Sequence, residues 1–125
     1  MKKVQAFSKE FQSEMGWTIS EDSFEKNRTS LLNNYMLLST EVAEVAEELR
    51  KMFNLTYRSI EEGLDEDTAF EEAKAQVKDE IGKELADCIA YLMKFYNYFE
   101  LDAENSFYDK MDEVKNRKNK DATNK

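Results

Sequence analysis

The sequence contains no proline, and its 125 residues include only three glycines. Proline interrupts helices and glycine supplies the positive φ angles of tight hairpins, so little in this chain stops long helices or builds β-hairpins. Apolar residues also recur at spacings of three and four, the period of a helix with one buried face. The sequence therefore predicts an all-α fold in a single domain, residues 1–125.

The apolar spacing predicts two helices in the first half of the chain. The first covers residues 3–15, with Val4, Phe7 and Phe11 on one face, and ends at Gly16. The second begins with Ser20 as its N-cap and extends to residue 53, with room for a break near residue 29. A polar loop is predicted to follow, from residue 54 to residue 67, with room for one helical turn at residues 57–62.

Two further helices are predicted in the second half. The third has Asp67 or Thr68 as its N-cap and reaches residue 99, and its apolar stripe includes Val77, Ile81 and Leu85. The fourth covers residues 103–117 with Asp102 as its N-cap. Residues 118–125 are polar, and we expect a frayed tail there.

Composition excludes several classes of function. The chain has 18 basic and 27 acidic residues, whereas a protein that binds a nucleic-acid backbone needs a basic face, so no nucleic-acid partner is expected. The absence of histidine excludes Ser-His-Asp and Cys-His catalytic sites and histidine-ligated zinc. A single cysteine cannot form an intrachain disulfide, which fits a reducing, cytoplasmic location. No apolar run approaches the ~18 residues of a membrane span, so no membrane partner is expected.

Two pairs of carboxylates stand at related positions on the second and third helices. Glu41 and Glu44 are three residues apart, as are Glu84 and Asp87, so each pair shares one helical face. Glu41 and Glu84 each lie roughly 60° from the apolar stripe of their helix. Packing of the two stripes would bring all four carboxylates to one groove. Such a group needs a cation or raised pKa values, and oxygen ligands alone favour Mg²⁺ or Mn²⁺.

The same spacing also has a simpler interpretation. Charged residues make up 36% of the chain, and many acidic pairs on helices face solvent. We assign Glu47–Glu48, Glu61–Glu62 and Glu71–Glu72 to solvated faces of this kind.

Two sequence strings resemble a known family. LSTEVAE, at residues 38–44, and ELADCIAYL, at residues 84–92, look like the signature helices of the MazG-like nucleoside triphosphate pyrophosphohydrolases, whose pattern is EExxE followed by ExxD. These enzymes belong to the all-α NTP pyrophosphatase group. A third family element, a Lys…Asn…Arg cluster on the fourth helix, is matched by Lys110, Lys115, Asn116 and Arg117. The resemblance covers residues 31–117.

The resemblance implies a fold, an activity and a set of site residues. It implies a four-helix, bundle-like protomer that assembles as a homodimer or as a dimer of dimers, that is, a homotetramer. It implies Mg²⁺-dependent hydrolysis of nucleoside or deoxynucleoside triphosphates to the monophosphate and pyrophosphate, as in house-cleaning of nucleotide pools. Mn²⁺ is the expected substitute. The residues carried over are Glu41, Glu44, Glu84 and Asp87 as metal ligands, Lys110, Asn116 and Arg117 on phosphates, and Tyr91 on the sugar or base.

The mechanism expected from these residues is metal-assisted hydrolysis. Glu41 or Glu44 would orient or deprotonate the attacking water. One departure weakens the match, because Thr40 stands where the family has the first glutamate of EExxE. That substitution keeps a second hypothesis open, in which the chain is a non-catalytic helical module that binds a nucleotide or a protein.

Overall fold

The computed structural model describes residues 1–117 and contains four helices. They are α1 (Lys2–Met15), α2 (Phe24–Glu61), α3 (Glu66–Tyr98) and α4 (Ala103–Lys115), and residues 1–117 contain no strand. The predicted all-α fold is therefore confirmed. Within this part of the chain, no helix is both long enough and apolar enough to cross a membrane. The predicted tail, residues 118–125, lies outside the described residues.

The chain divides into two compact units. One unit is residues 19–92, which hold α2 and most of α3. The other combines residues 1–18 with residues 93–117 of the described chain, which include α1, the end of α3 and α4. The expectation of a single domain stays a prediction.

In the unit of residues 19–92, α2 and α3 form an antiparallel pair. Met52 on α2 is buried with Ala73 and Val77 on α3, and Leu55 and Ile81 are among the partly buried residues packed against them. Alanine and valine on α3 leave room for the long methionine side chain, and full burial of such a side chain contributes about 1.5–3 kcal/mol. This contact sets which faces of the two helices meet.

In the other unit, Gln5 of α1 links three chain segments. Its Nε2 donates to Asn97 Oδ1 at 2.9 Å and to the Leu101 carbonyl at 2.7 Å. Its Oε1 accepts from the Ala103 backbone N–H at 2.9 Å. Two ion pairs, from the Met1 amino group to Glu104 and from Lys2 to Asp102, also connect α1 to the start of α4. A polar residue thus docks α1 against the end of α3 and the start of α4.

Four of the predicted helix ends are confirmed to within one residue. The first helix starts one residue before its predicted position and ends at Gly16, whose φ of 71° suits a residue without a side chain. The fourth helix has Asp102 as its N-cap, with the side chain accepting from the Asn105 backbone N–H at 3.1 Å. The third helix ends at Tyr98, one residue from the prediction.

The start of the second helix was predicted wrongly. Ser23 is the N-cap of α2, and its hydroxyl accepts from the Lys26 backbone N–H at 3.2 Å. Ser20, the predicted cap, lies before the helix, where its backbone N–H donates to Ser30 Oγ at 3.0 Å. The helix has no break near Thr29. Two serines three residues apart both precede acidic residues, so the local pattern did not distinguish them.

The predicted loop from residue 54 to residue 67 is wrong over most of its length, and the helical turn allowed at residues 57–62 falls at the end of α2. α2 continues to Glu61, because Leu55 and the buried Thr56 extend its packed face, and the Thr56 hydroxyl donates to the Met52 carbonyl at 2.8 Å. Gly63, with a φ of 102°, ends the helix. α3 begins at residue 66, and the Asp65 side chain, rather than that of Asp67 or Thr68, caps it by accepting from the Thr68 N–H at 3.1 Å.

Candidate functional site

Three carboxylates from α2 and α3 meet in the unit of residues 19–92. Glu41 on α2 and Glu84 and Asp87 on α3 each offer an oxygen, and these three oxygens all lie within 4.8 Å of one another. We call Glu41, Glu84 and Asp87 the acidic cluster. Three of the four residues predicted as metal ligands are thus brought together.

The antiparallel pairing of α2 and α3 explains why residues 43 or more apart in the chain become neighbours. The stacked rings of Phe53 and Phe70, with centroids 6.3 Å apart, lie near the connection between the helices. From there α2 runs back 12 residues to Glu41 and α3 runs forward 14 residues to Glu84, which is a similar number of turns, and Asp87 lies one turn further on. The acidic cluster therefore lies between the two helices, beyond their apolar core.

Crowding raises the pKa values of two members of the acidic cluster. The pKa of Glu41 is raised from its usual 4.5 by partial burial, by the charges of Asp87 and Glu44, and by a hydrogen bond with Asp87. The pKa of Glu84 is raised by partial burial and then by the charges of Asp87, Glu44 and other acidic neighbours. Each shift means that burial, and then repulsion between the carboxylates, disfavours the charged form, and a proton or a cation relieves both.

Glu44, the fourth predicted ligand, does not belong to the three-oxygen cluster. Its side chain is exposed, one turn after Glu41 on α2. Its charge still acts on the pKa values of both Glu41 and Glu84. Glu44 thus contributes to the negative potential at the acidic cluster from its edge.

Glu48 is a site residue that the sequence analysis missed. It was assigned to a solvated face, but the residue is only partly exposed, and its Oε2 is buried without a hydrogen-bond partner among the described residues. Its charge also contributes to the raised pKa of Glu84. Glu48 stands seven residues after Glu41, which places both on one helical face, so the spacing itself was the available signal.

The donor set fits a small divalent cation. The acidic cluster offers three carboxylate oxygens with no nitrogen or sulfur ligand, the set that Mg²⁺ and Mn²⁺ prefer. The site carries negative charge that the described residues leave uncompensated. Two observations indicate this: the pKa values of Glu41 and Glu84 are raised, and one carboxylate oxygen of Glu48 is buried without a hydrogen-bond partner. Glu41, Glu84 and Asp87 are therefore the residues that could hold the ion.

Two other side chains on α3 border the acidic cluster. The pKa of Tyr91 is raised by burial and by the charges of Glu41 and Asp87, so its phenol stays protonated and can donate a hydrogen bond. The pKa of Cys88 is raised by burial and by the same two charges, followed by that of Glu84. A thiol held protonated in this way is a poor nucleophile.

The basic residues predicted to bind phosphate lie at the end of α4, in the other unit. Lys110 and Arg117 both form ion pairs with Glu113, at 3.1 Å and 3.0 Å. Asn116 is the C-cap residue of α4. All three side chains belong to exposed residues.

Thr40, which stands in place of the family glutamate, is also exposed. Its hydroxyl donates to the Met36 carbonyl one turn earlier on α2, at 3.1 Å. The threonine hydroxyl is thus used within its own helix.

The chain matches no protein family model, no curated protein and no solved structure. The resemblance to the pyrophosphohydrolases therefore rests on the motifs themselves, and the chemistry has to be argued from the side chains.

Proposed function

We propose that this protein is a Mg²⁺-dependent nucleoside triphosphate pyrophosphohydrolase that releases the monophosphate and pyrophosphate. The observation that carries the proposal is the acidic cluster, in which carboxylate oxygens from α2 and α3 lie within 4.8 Å of one another. The EVAE and ELAD strings that resemble the family supply those same carboxylates. Mn²⁺ is the expected substitute, and a cytoplasmic location is expected with it.

The protein's side chains divide the work of such a reaction between them. Glu41, Glu84 and Asp87 hold the ion, which when bound neutralises triphosphate charge and stabilises the charge that develops at the α-phosphorus. The exposed Glu44 orients the attacking water and accepts its proton, a role that Glu41 would otherwise take. Tyr91, which borders the acidic cluster, is the proposed contact for the sugar or base.

The phosphate groups need cationic partners as well as the metal. Lys110, Asn116 and Arg117 are the proposed partners for the pyrophosphate that leaves. Arginine can hold two phosphate oxygens at once, whereas lysine acts as a point charge. The chain has no glycine-rich phosphate loop, so these side chains and the ion carry the phosphate recognition.

The experiment is a turnover assay with a panel of ribo- and deoxyribonucleoside triphosphates, with and without Mg²⁺, and with products identified by chromatography. We expect monophosphate and pyrophosphate, only with the metal. Glu84→Gln and Asp87→Asn should each lower kcat/KM by at least about a hundredfold, since each removes a charge that holds the ion. Release of diphosphate and phosphate would show cleavage at the wrong bond.

Matched variants separate loss of the site from loss of the fold. Glu80→Gln and Glu71→Gln remove the same charge from exposed glutamates elsewhere on α3, where each pairs with a lysine three residues later. These variants should keep the wild-type rate. Equal losses in all four variants would count against an active site at the acidic cluster.

A non-catalytic nucleotide- or protein-binding module is the second candidate. The observation that favours it is Thr40, whose hydroxyl is committed to the Met36 carbonyl and replaces a carboxylate of the family pattern. This candidate predicts no turnover across the panel, together with saturable nucleotide binding. If the wild type has no activity and the single substitution Thr40→Glu restores turnover, the protein is a relative of the enzymes that has lost its activity.

A homodimer is part of the proposal, because α2 and α3 share a broad exposed apolar face. On α2, exposed residues follow one another at alternating steps of three and four: Leu32, Tyr35, Ser39, Val42, Ala46, Leu49 and Phe53. On α3, Gly82, Leu85, Ile89 and Leu92 continue the same spacing and are also exposed. We call these residues the outer face.

A second copy of the chain is the occupant proposed for the outer face. The alternating spacing is that of a helix packed along a bundle seam, and on α2 it extends for about 32 Å. A stable interface buries about 800 Å² per partner, which a face of this length can supply. Glu44 lies on the opposite side of α2, so a dimer formed through the outer face leaves the edge of the acidic cluster accessible. A homotetramer would need a further surface.

A further inference from the structure

Glu113 on α4 holds the two cations that the proposed function assigns to phosphate. Its Oε1 accepts from Lys110 Nζ at 3.1 Å and from Arg117 NH2 at 3.0 Å. The spacings are three and four residues, so all three side chains stand on one face of the helix end. A single carboxylate oxygen therefore engages both cations at once.

We infer that Glu113 is an internal competitor for phosphate, which occupies Lys110 and Arg117 until a phosphate group displaces it. The inference rests on the proposed function, because that function assigns phosphate binding to these cations. Glu113 would lower the affinity of Lys110 and Arg117 for pyrophosphate and so favour release of that product. It would also keep the two cationic side chains close together between turnovers.

The exposure of the three side chains makes the exchange feasible. The side chains of Lys110, Arg117 and Glu113 are 52%, 37% and 59% exposed, so the ion pairs lie in water, where such pairs are weak. Pyrophosphate carries more negative charge and more acceptor oxygens than one carboxylate, so it can displace Glu113 from both cations. An exposed carboxylate is thus a replaceable partner, whereas a buried ion pair would resist displacement.

The protonation state of Glu113 supports the competition. Hydrogen bonds from Lys110 and Arg117, followed by the charges of the same residues, hold the pKa of Glu113 below its usual range. The carboxylate is therefore charged at neutral pH, where it has to be if it is to compete with phosphate.

The matched substitutions are Glu113→Gln and Asp112→Asn. Both remove one negative charge from α4, but no described residue forms an ion pair with the Asp112 side chain.

The full-length protein is titrated with inorganic pyrophosphate in EDTA, so that no divalent ion contributes, and binding is followed by the NMR shifts of α4 amides. Removal of a unit charge about 4 Å from the phosphate site should tighten binding about fivefold in Glu113→Gln. Asp112→Asn should give a smaller gain, and the double variant Glu113→Gln/Arg117→Gln should lose the gain.

The turnover assay supplies a second measurement. Pyrophosphate should inhibit Glu113→Gln at about fivefold lower concentration than it inhibits the wild type, with kcat for substrate at saturation no higher. Equal gains in Glu113→Gln and Asp112→Asn, weaker binding in Glu113→Gln, or no pyrophosphate response of α4 in any variant would overturn the inference. A wild-type protein that turns over no nucleotide would refute the proposed function, and the pyrophosphate titration would still test Glu113.

Discussion

The acidic cluster opposes folding when no cation is bound. Burial and neighbouring charges raise the pKa values of Glu41 and Glu84 above 4.5, so the folded protein binds protons at these sites more tightly than the unfolded chain does. A divalent cation that binds the folded state relieves the same repulsion. The residues proposed for catalysis are thus a local cost to stability, which is common at functional sites.

We expect Glu84→Gln to melt at a higher temperature than the wild type in EDTA at neutral pH. The difference in stability between the variant and the wild type should shrink as the pH falls through the raised pKa of Glu84 towards 4.5. In this range folded wild-type protein takes up a proton at Glu84 that the unfolded chain binds less tightly, and this proton uptake stabilises the wild type. The measurement is thermal unfolding across this pH range with and without Mg²⁺. Mg²⁺ should raise the wild-type melting temperature more than that of the variant. A variant less stable than the wild type under all conditions would contradict this account.

Glu100 occupies a backbone conformation that suits glycine. Its φ is 56°, and it follows α3 in a motif where Glu100 N–H donates to the Asn97 carbonyl and Leu101 N–H to the Tyr96 carbonyl. The same pattern ends α1 at Gly16 and α2 at Gly63. A non-glycine side chain at this position costs free energy because its Cβ crowds the backbone.

We therefore expect Glu100→Gly to raise the free energy of unfolding by about 1 kcal/mol. Denaturant unfolding of the two proteins measures the change. Glu100→Ala controls for loss of the charge, because alanine keeps the Cβ and should give little of the gain. Equal stabilisation by both substitutions would assign the effect to the carboxylate.

The helices are set by local signals at some ends and by packing at others. Gly16, Gly63 and Asp102 act through their own backbone or side-chain geometry. The extension of α2 to Glu61 depends instead on packing, because Leu55 contacts the core that Met52 forms with α3. The polar composition of residues 54–61 therefore indicated no more than a single helical turn there.

The N-cap of α2 offers a test at this scale. Ser23→Ala removes the acceptor for the Lys26 N–H and should lower the free energy of unfolding by about 1 kcal/mol. Ser20→Ala is the control, since among residues 1–117 the Ser20 hydroxyl accepts only from the Asp22 N–H, at a long 3.5 Å. The free energies come from urea unfolding of the two variants. A larger loss in Ser20→Ala would place the start of the helix at Ser20.

For the whole molecule, the outer face decides between a monomer and a dimer. Val42→Glu places a charge at the centre of the outer face. Dimer formation would bury this charge without a partner, which is strongly unfavourable, so the variant should sediment as a monomer in analytical ultracentrifugation. Gln76→Glu adds the same charge at an exposed position of α3 away from that face and should leave the dimer intact. A wild-type protein that sediments as a monomer at all concentrations would exclude the proposed assembly.

Much of this protein follows from local chemistry in its sequence. The absence of proline and the apolar periodicity account for the four helices, and the lack of histidine leaves carboxylates as its main ligands. The tertiary structure alone decided which carboxylates meet, because the pairing of α2 with α3 sets their relative rotation. That pairing brought Glu41, Glu84 and Asp87 together, left Glu44 exposed and placed Glu48 where its charge raises the pKa of Glu84. Helical spacing gives the face of each residue, but distances between helices depend on how side chains pack.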